Sequence, residues 1–336
     1  MLRFILHTGV LLGAFALIIQ AISMLFPMSY YNQEYPMWKY QQEVAMGEQG
    51  KKEARKVILG DSRAMAGIRP DLLGNTLSLC VGGATPVELY FNFKRYIVMN
   101  QKPDTVIFSL TPLHFYRQDC FYHRTRKYDF LENWMIDSVK QVAFELNDPE
   151  YTSAFGLVNK IKLLSFTSKM VDMNVSHLSR YGENKAKYQA MSERNGHSFF
   201  GTKEMDDGYN LEVTDHLEMD ESGQWNVKEG KEKFVVSKVN DYYFKKLLDL
   251  LHDENIFIVW VTMPMNRASY EKLKLIPTPF LQDYSNYVKA NFANRDRWIG
   301  DFEVGFYENE YFGDPAHLNE RGSIKFTEAL IEKYFR

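Results

Sequence analysis

Short apolar runs alternate along the chain with longer segments in which apolar residues recur every three or four positions. The short runs, rich in β-branched and aliphatic residues, predict buried strands, and the periodic segments predict amphipathic helices. The five predicted strands are ARKVILGDS (54–62), a run from about Thr76, KPDTVIFSLTP (102–112), IFIVWV (256–261) and RDRWIGDFE (295–303).

Three helices are predicted between and after these strands. Pro86 suits the first turn of a helix after the second strand, another helix precedes the fourth strand, and the segment 317–335 ends the chain as an amphipathic helix. Parallel strands joined by helices are covered on both faces. The pattern therefore predicts an α/β fold with a mainly parallel sheet between two helical layers.

The stretch at about 116–231 interrupts this alternation. It is rich in aromatic and charged residues and contains only short helical patterns. A connection of this length either carries its own structure or is disordered. We therefore predict one α/β domain over 55–336, in which 116–231 is an inserted cap above the carboxyl edge of the sheet.

The amino-terminal segment contains no Asp, Glu, Lys or Arg from Phe4 to Phe26. At about 1.5 Å per residue, a helix of this length spans roughly the 30 Å of a bilayer core. A cleaved signal peptide is the alternative, but the run is long for a signal core and its end matches a cleavage site poorly. We expect an uncleaved membrane anchor at 1–26 and a juxtamembrane segment at 27–54.

The orientation of this anchor rests on a small difference in charge. Arg3 and the amino terminus precede the apolar run, and Lys39 follows it. Because basic residues favour the cytoplasmic side, we expect a single-pass membrane protein whose domain is extracytoplasmic. Four aromatic residues after the run either form an interfacial belt or pack on the domain: Tyr30, Tyr31, Tyr35 and Trp38.

Composition and charge argue against several classes of partner and ligand. The 336 residues carry a formal net charge of -3, which argues against nucleic acid as a partner, since such proteins usually present a basic face. The two cysteines, Cys80 and Cys120, are too few for a disulfide framework. Cys80 lies in an apolar run and is expected in the core, with one Cys80–Cys120 bridge as the alternative. No close His, Cys and Asp spacing predicts a metal, and no cofactor is expected.

The polar residues Gly60-Asp61-Ser62-Arg63 follow the first strand directly. Ligands of open α/β sheets bind at the carboxyl ends of the strands. Ser62 is here either a nucleophile or a helix cap. A serine hydroxyl becomes an effective nucleophile only when a base takes its proton.

A candidate base lies near the end of the chain, in FGDPAHLNERG (312–322). Asp314 and His317 are three residues apart, so one turn lets the carboxylate accept from Nδ1–H of His317 while Nε2 faces Ser62. The alternative is a simple turn at Asp314 ahead of a helix capped by Asn319. The early Gly-Asp-Ser and the late Asp-x-x-His together favour a Ser-His-Asp arrangement.

These two motifs resemble those of the SGNH/GDSL hydrolase superfamily. Gly60-Asp61-Ser62 matches its nucleophile block, and Asp314-Pro315-Ala316-His317 matches its terminal block. The resemblance implies a flavodoxin-like SGNH three-layer sandwich with a Ser62, His317 and Asp314 catalytic triad.

The resemblance also implies an oxyanion hole built from the amides of Ser62 and of Gly82 or Gly83. The chain departs from the superfamily after the third strand, where SLTPLHFYRQD (109–119) contains no asparagine. Thr111 or His114 replaces the missing donor, or the hole rests on backbone amides alone.

The amino-terminal anchor and the divergent third block resemble one subgroup, the membrane-anchored SGNH-like partners of membrane-bound O-acyltransferases, of the DltD and alginate O-acetylation type. This resemblance implies an extracytoplasmic O-acyltransferase, with acetyl favoured over other acyl groups. Its acceptor would be a surface or secreted polysaccharide, and its partner a membrane-bound O-acyltransferase. Two alternatives stay open: a carbohydrate or lipid esterase of the SGNH type, and a non-catalytic assembly partner of the acyltransferase.

Several further side chains have two interpretations. Arg63 either holds a substrate carboxylate or sugar group or pairs with Asp61. Trp260 lies within a strand and is expected in the core rather than in a sugar platform. Four residues near the start of the cap either line a glycan cleft or form a solvated charged face: His114, His123, Arg124 and Arg126.

Overall fold

The structure is a computed structural model that describes residues 1–31, 34–116, 121–158, 180–199, 234–275 and 279–336. Its strands are β1 (Lys56–Gly60), β2 (Thr76–Ser78), β3 (Thr105–Ser109), β4 (Phe257–Trp260), β5 (Met265–Asn266), β6 (Trp298–Gly300) and β7 (Phe306–Tyr307). Five of them form one sheet in the order β2-β1-β3-β4-β6, and β5 pairs with β7 in a second sheet.

Every pairing in the main sheet is parallel. Val57, Ile58 and Leu59 of the interior strand β1 are fully buried, as expected for a strand covered on both faces. Gly60 pairs with Ser109, so β1 and β3 end at the same level. The predicted mainly parallel sheet is confirmed, and the loops that follow its strands begin at a common edge.

The helices complete the α/β architecture. They are α1 (Leu2–Leu25), α2 (Pro27–Tyr30), α3 (Tyr35–Ala45), α4 (Ser62–Gly67), α5 (Pro70–Leu73), α6 (Pro86–Met99), α7 (Asn133–Glu145), α8 (Pro149–Ala154), α9 (Arg180–Glu193), α10 (Lys238–Asp253), α11 (Arg267–Lys274), α12 (Phe280–Phe292) and α13 (Glu320–Tyr334). One group packs α6 against α10, and another packs α4 against α13. This arrangement is consistent with a three-layer sandwich.

The segment after α1 packs on the domain. Tyr31, Tyr35 and Trp38 are buried, and each has a ring contact with Tyr128. Of the two alternatives, an interfacial belt or packing on the domain, these three residues show packing on the domain, because their rings contact apolar neighbours there. The side chain of Tyr30 lies outside the described side chains.

Helix α1 consists of 24 residues, and the side chains of Ala16 and of residues 19–24 are outside the described ones. Among the residues that the structure describes, no helix has the length and apolar character needed to cross a membrane.

The described parts of the predicted cap include α7, α8 and α9. Helix α7 packs on α8 and α10, and α9 packs on α2 and α3. The amide of Ser78 donates to the carbonyl of Asn195 at 2.8 Å, which joins this region to the edge strand β2. Residues 117–120, 159–179 and 200–231 of the predicted cap lie outside the described residues.

Two residues expected in the core are found there. Trp260 is fully buried and contacts the rings of Phe108 and Phe292. Cys80 is a buried free thiol, and burial raises its pKa. Cys120, its alternative partner, lies outside the described residues.

Candidate active site

The site begins where β1 meets β3 and α4. A Cβ atom at Gly60 would clash with the carbonyl oxygen of Ser109 and with Cβ of Ala64. Glycine permits this close approach because it has no side chain. The chain therefore turns directly from β1 into α4, and Ser62 occupies the first turn of that helix.

Asp61 caps α4 and ties it to the loop after β3. Its Oδ1 accepts hydrogen bonds from the amides of Arg63 at 2.9 Å and Ala64 at 3.4 Å. Its Oδ2 accepts from the amide of Thr111 at 2.9 Å and from the Thr111 hydroxyl at 2.7 Å. These bonds fix the turn that carries Ser62.

The charge of Asp61 is stabilised although its side chain is fully buried. Burial alone would raise its pKa, but His114, Arg63 and the hydrogen bonds from Thr111 outweigh burial and hold the pKa below its usual value. Nε2 of His114 lies 3.7 Å from Oδ2 of Asp61. The turn below Ser62 thus contains an ionised carboxylate beside the Arg63 guanidinium and the His114 imidazole.

Ser62, His317 and Asp314 form a continuous chain of hydrogen bonds. Nε2 of His317 lies 2.8 Å from Oγ of Ser62. Nδ1 of His317 lies 2.7 Å from Oδ2 of Asp314. The structure therefore brings together the three residues that sequence analysis singled out, in the order that a serine triad requires.

The loop that carries His317 is held by hydrogen bonds between side chains and its backbone. Oδ1 of Asp314 accepts from the amides of Ala316 and His317, each at 2.8 Å. The side-chain amide of Asn266 donates to the carbonyl of Pro315 at 2.6 Å. Asn319 caps the following helix through the amide of Gly322. The turn and cap considered as an alternative to catalysis therefore coexist with the triad geometry.

The electrostatics of Asp314 suit the orienting role. Burial would raise its pKa, but the adjacent His317 and the amides that donate to the carboxylate lower it below the usual value. The His317 side chain is 15% exposed and that of Asp314 is 19% exposed. The triad is therefore largely shielded from solvent, and Ser62 is partly exposed.

The predicted oxyanion glycines lie in a tight turn beside β1. The amide of Val81 donates to the carbonyl of Gly60 at 3.0 Å, and the amide of Ala84 donates to the carbonyl of Val81 at 3.0 Å. Gly83 has a φ of 74°, the positive value that the third position of a type II turn requires. Val81, which begins the turn that contains Gly82 and Gly83, is therefore hydrogen-bonded to Gly60 at the end of β1, two residues before Ser62. The oxyanion role of these amides and of Ser62 stays a prediction.

The structure separates the two candidates for the missing asparagine. The hydroxyl and the amide of Thr111 both donate to Asp61, so this hydroxyl proton is already committed. The His114 side chain is 14% exposed and lies beside the same carboxylate. The donor role of His114 stays a prediction.

Arg63 is buried, with 8% exposure. Its charge lowers the pKa of Asp61, which favours the pairing alternative. A cavity of about 20 Å³ beside it is lined also by Met263 and Tyr284. That volume suits about one water molecule, so it is too small for a sugar.

The other predicted substrate-binding residues make contacts away from the triad. Arg124 donates from Nε and Nη2 to the carboxylate of Glu34 at 2.6 and 2.7 Å. Arg126 donates to the carbonyl of Ala154 at 3.1 Å. His123 is exposed. These contacts favour a structural or solvated role over a glycan cleft.

Sequence analysis overlooked a second buried acid, Glu88. Its Oε2 accepts from the amide of Thr85 at 2.9 Å, and its Oε1 accepts from the hydroxyl of Thr125 at 2.7 Å. The hydroxyl of Tyr151 lies 3.1 Å from that of Thr85 and donates to Asn240 at 2.7 Å. This network anchors the helix that follows the glycine turn. The signal was present in Thr85-Pro86-Val87-Glu88, which fits a helix capping box.

No family model matches the chain, and no curated protein matches it. Among the residues that the structure describes, no cluster of three or more His, Cys, Asp or Glu side chains is arranged to hold a metal ion.

Proposed function

We propose that this protein is a serine-dependent O-acyltransferase. One observation carries the proposal: the hydrogen-bonded series from Ser62 through His317 to Asp314, with contacts of 2.8 and 2.7 Å. Such a series allows a serine to attack an acyl carbonyl, because the imidazole accepts the hydroxyl proton as the new bond forms.

The first half-reaction produces an acyl-enzyme. Oγ of Ser62 bonds to the acyl carbon while its proton passes to Nε2 of His317, and Asp314 stabilises the resulting imidazolium. Amides of Ser62 and of Gly82 or Gly83 stabilise the oxyanion, with about 3–4 kcal/mol for each donor. The intermediate collapses when His317 returns the proton to the departing group.

The second half-reaction determines the product. His317 takes the proton of an acceptor hydroxyl, which attacks the acyl-enzyme and releases Ser62. We propose a surface or secreted polysaccharide as acceptor and acetyl as the acyl group, on the strength of the family resemblance. With water as acceptor, the same residues make an esterase.

We propose further that α1 anchors the domain on the extracytoplasmic side of a membrane. Support comes from the uncharged sequence between Phe4 and Phe26 and from exposed apolar side chains such as Leu11, Leu12 and Phe15. An anchor raises the effective concentration of the serine near a membrane-bound O-acyltransferase, the partner that would supply the acyl group.

The first test is covalent labelling of the full chain with a serine-directed phosphonate. We expect labelling of Ser62, its loss in Ser62→Ala and its retention in Ser153→Ala, a control on the exposed helix α8. Equal labelling of the Ser62→Ala variant would contradict the proposal.

The second test distinguishes transfer from hydrolysis. An acetyl donor is supplied with and without an oligosaccharide, and acetylated sugar and free acetate are both measured. Acetylated sugar that requires Ser62 supports transfer, whereas free acetate alone supports the esterase. Unchanged polysaccharide acylation in cells that carry Ser62→Ala, with loss on deletion of 1–26, would favour the non-catalytic assembly partner.

A further inference from the structure

A groove between α6 and α7 lies apart from the triad. Helix α6 begins after β2 at the carboxyl edge of the sheet and ends before β3, and the groove lies near that end. Its volume is about 310 Å³, within the range of roughly 300–1,000 Å³ that small-molecule sites occupy. We call it the Arg95 groove.

The wall of the Arg95 groove is apolar and exposed. Val98 is 73% exposed, Met99 is 51% exposed and Trp134 is 53% exposed. Single exposed apolar side chains are ordinary, but a contiguous set that lines a concave surface marks a binding site. The groove therefore offers a surface for an alkyl chain.

A buried cation lies in the lining of this groove. Arg95 is 8% exposed, and its Nη2 donates to the carbonyl of Phe130 at 2.7 Å. Within the part of the chain that the structure describes, its Nε and Nη1 have no hydrogen-bond partner. Burial lowers the pKa of Arg95 to about 10, so the guanidinium stays charged at neutral pH. Its charge is thus incompletely compensated by the protein.

The other charged residues of the lining leave the groove positive. Glu132 accepts a hydrogen bond from Nε1 of Trp134 at 2.8 Å. It accepts no hydrogen bond from Nε or Nη1 of Arg95 among the described residues, but its charge raises the pKa of Arg95 against the effect of burial. Lys94 is the second cation of the lining. Two cations and one carboxylate give a formal charge that a single monoanionic group would balance.

We propose that the Arg95 groove binds a fatty acid, with its carboxylate near Arg95 and Lys94 and its alkyl chain along Val98, Met99 and Trp134. Charge complementarity selects the carboxylate, since a charge beside a partly buried cation is weakly screened. Apolar contact with the exposed wall selects the chain. This site is independent of the chemistry of Ser62.

The test uses the full chain in zwitterionic phosphatidylcholine nanodiscs. The probe is dodecanoate with a diazirine at the chain end, and dodecanol with the same diazirine is the uncharged control. After photolysis, the labelled peptides are identified by mass spectrometry. We expect peptides with Val98 or Trp134 to carry about ten-fold more label from the carboxylate than from the alcohol, a ratio equivalent to about 1.4 kcal/mol.

Two variants and a matched control make the assignment specific. Val98→Asp places a carboxylate on the exposed wall and is expected to abolish groove labelling, whereas Phe144→Asp, at a position of 53% exposure on α7, should leave it unchanged. Arg95→Met should remove the preference for the carboxylate. The proposal is overturned if label is spread over exposed apolar surfaces without regard to charge. It is equally overturned if Val98→Asp labels as the wild type does, or if no groove peptide is labelled, which would favour a protein segment as occupant.

Discussion

Asp61 and Glu88 are both fully buried carboxylates, and each lies at the start of a helix that follows a strand of the main sheet. Each accepts hydrogen bonds from a threonine hydroxyl and from backbone amides. Yet the pKa of Asp61 is lowered, and that of Glu88 is raised.

The difference lies in the charges around the two groups. Burial raises both pKa values, and hydrogen bonds lower both. Only Asp61 has basic side chains, those of His114 and Arg63, among the causes of its shift. Hydrogen bonds alone therefore do not overcome burial at Glu88, and nearby charge decides the outcome at Asp61. The ionised group lies under Ser62, whereas the other braces the helix after the glycine turn.

The largest effect is expected from Asp61→Asn. The substitution leaves Arg63 and His114 without their buried counter-charge, and breaking a buried pair in this way costs about 3–5 kcal/mol of the free energy of unfolding. Urea unfolding measures the change. Acyl transfer should fall as well, because the turn that carries Ser62 loses its cap. A loss below about 1 kcal/mol would remove the distinction between the two acids.

Paired threonine substitutions sharpen the same comparison. Thr111→Val removes a hydroxyl that donates to an ionised carboxylate and should cost about 1.5–3 kcal/mol, whereas Thr125→Val removes a donor to Glu88 and should cost about 0.5–1.5 kcal/mol. The two valines are near-isosteric with threonine, so packing changes little. The free energy of unfolding of both variants is measured at neutral pH. Equal losses in the two variants would argue against a difference in charge between Asp61 and Glu88.

A third buried group, His197, extends the comparison to a base. Burial, Arg69 and Arg194 lower its pKa from 6.5 to about 3, and Nε2 contacts the carbonyl of Ala66 at 3.1 Å. Its contribution to stability is complete above pH 6.5 and is lost as pH falls toward 3, by about 1.4 kcal/mol per pH unit.

The variant His197→Gln tests this pH dependence. Its amide retains a donor toward Ala66 but does not titrate, so the fall in stability between pH 6.5 and 5.5 should be about 1 kcal/mol smaller than in the wild type, because the imidazole of the unfolded chain is already half protonated at pH 6.5. Unfolding free energies at the two pH values give the slope directly. Parallel slopes for the two proteins would show that folding does not lower the pKa of His197.

The smallest effect is expected from Glu88→Gln, at about 1 kcal/mol or less at neutral pH, because no counter-charge loses its partner. The pH dependence has the opposite sign to that of Asp61. The contribution of Glu88 is most favourable below pH 4.5 and is lost as pH rises through its raised pKa, whereas that of Asp61 is complete above 3.8 and is lost as pH falls. If Glu88→Gln flattened the profile only below pH 4.5, the pKa of Glu88 would be lowered instead.

The strands and the short motifs of this protein can be predicted from its amino-acid sequence. Apolar runs such as Val57–Leu59 place the strands, because buried parallel strands are apolar on both faces. Gly60-Asp61-Ser62 and Asp314-x-x-His317 are local motifs, so their types and spacing are visible without a fold. The capping box at Thr85 and Glu88 was equally visible and was missed.

Which side chains distant in sequence come into contact depends on the folded chain. Ser62 and His317 are separated by 255 positions, and no local pattern fixes the distance between them. Three further contacts likewise depend on elements remote in sequence. They are the hydrogen bond from the Thr111 hydroxyl to Asp61, the pairing of Arg124 with Glu34, and the packing of Tyr31 and Trp38 on Tyr128. So do the opposite pKa shifts of Asp61 and Glu88, because the electrostatic environment of a buried group is set by its neighbours in space.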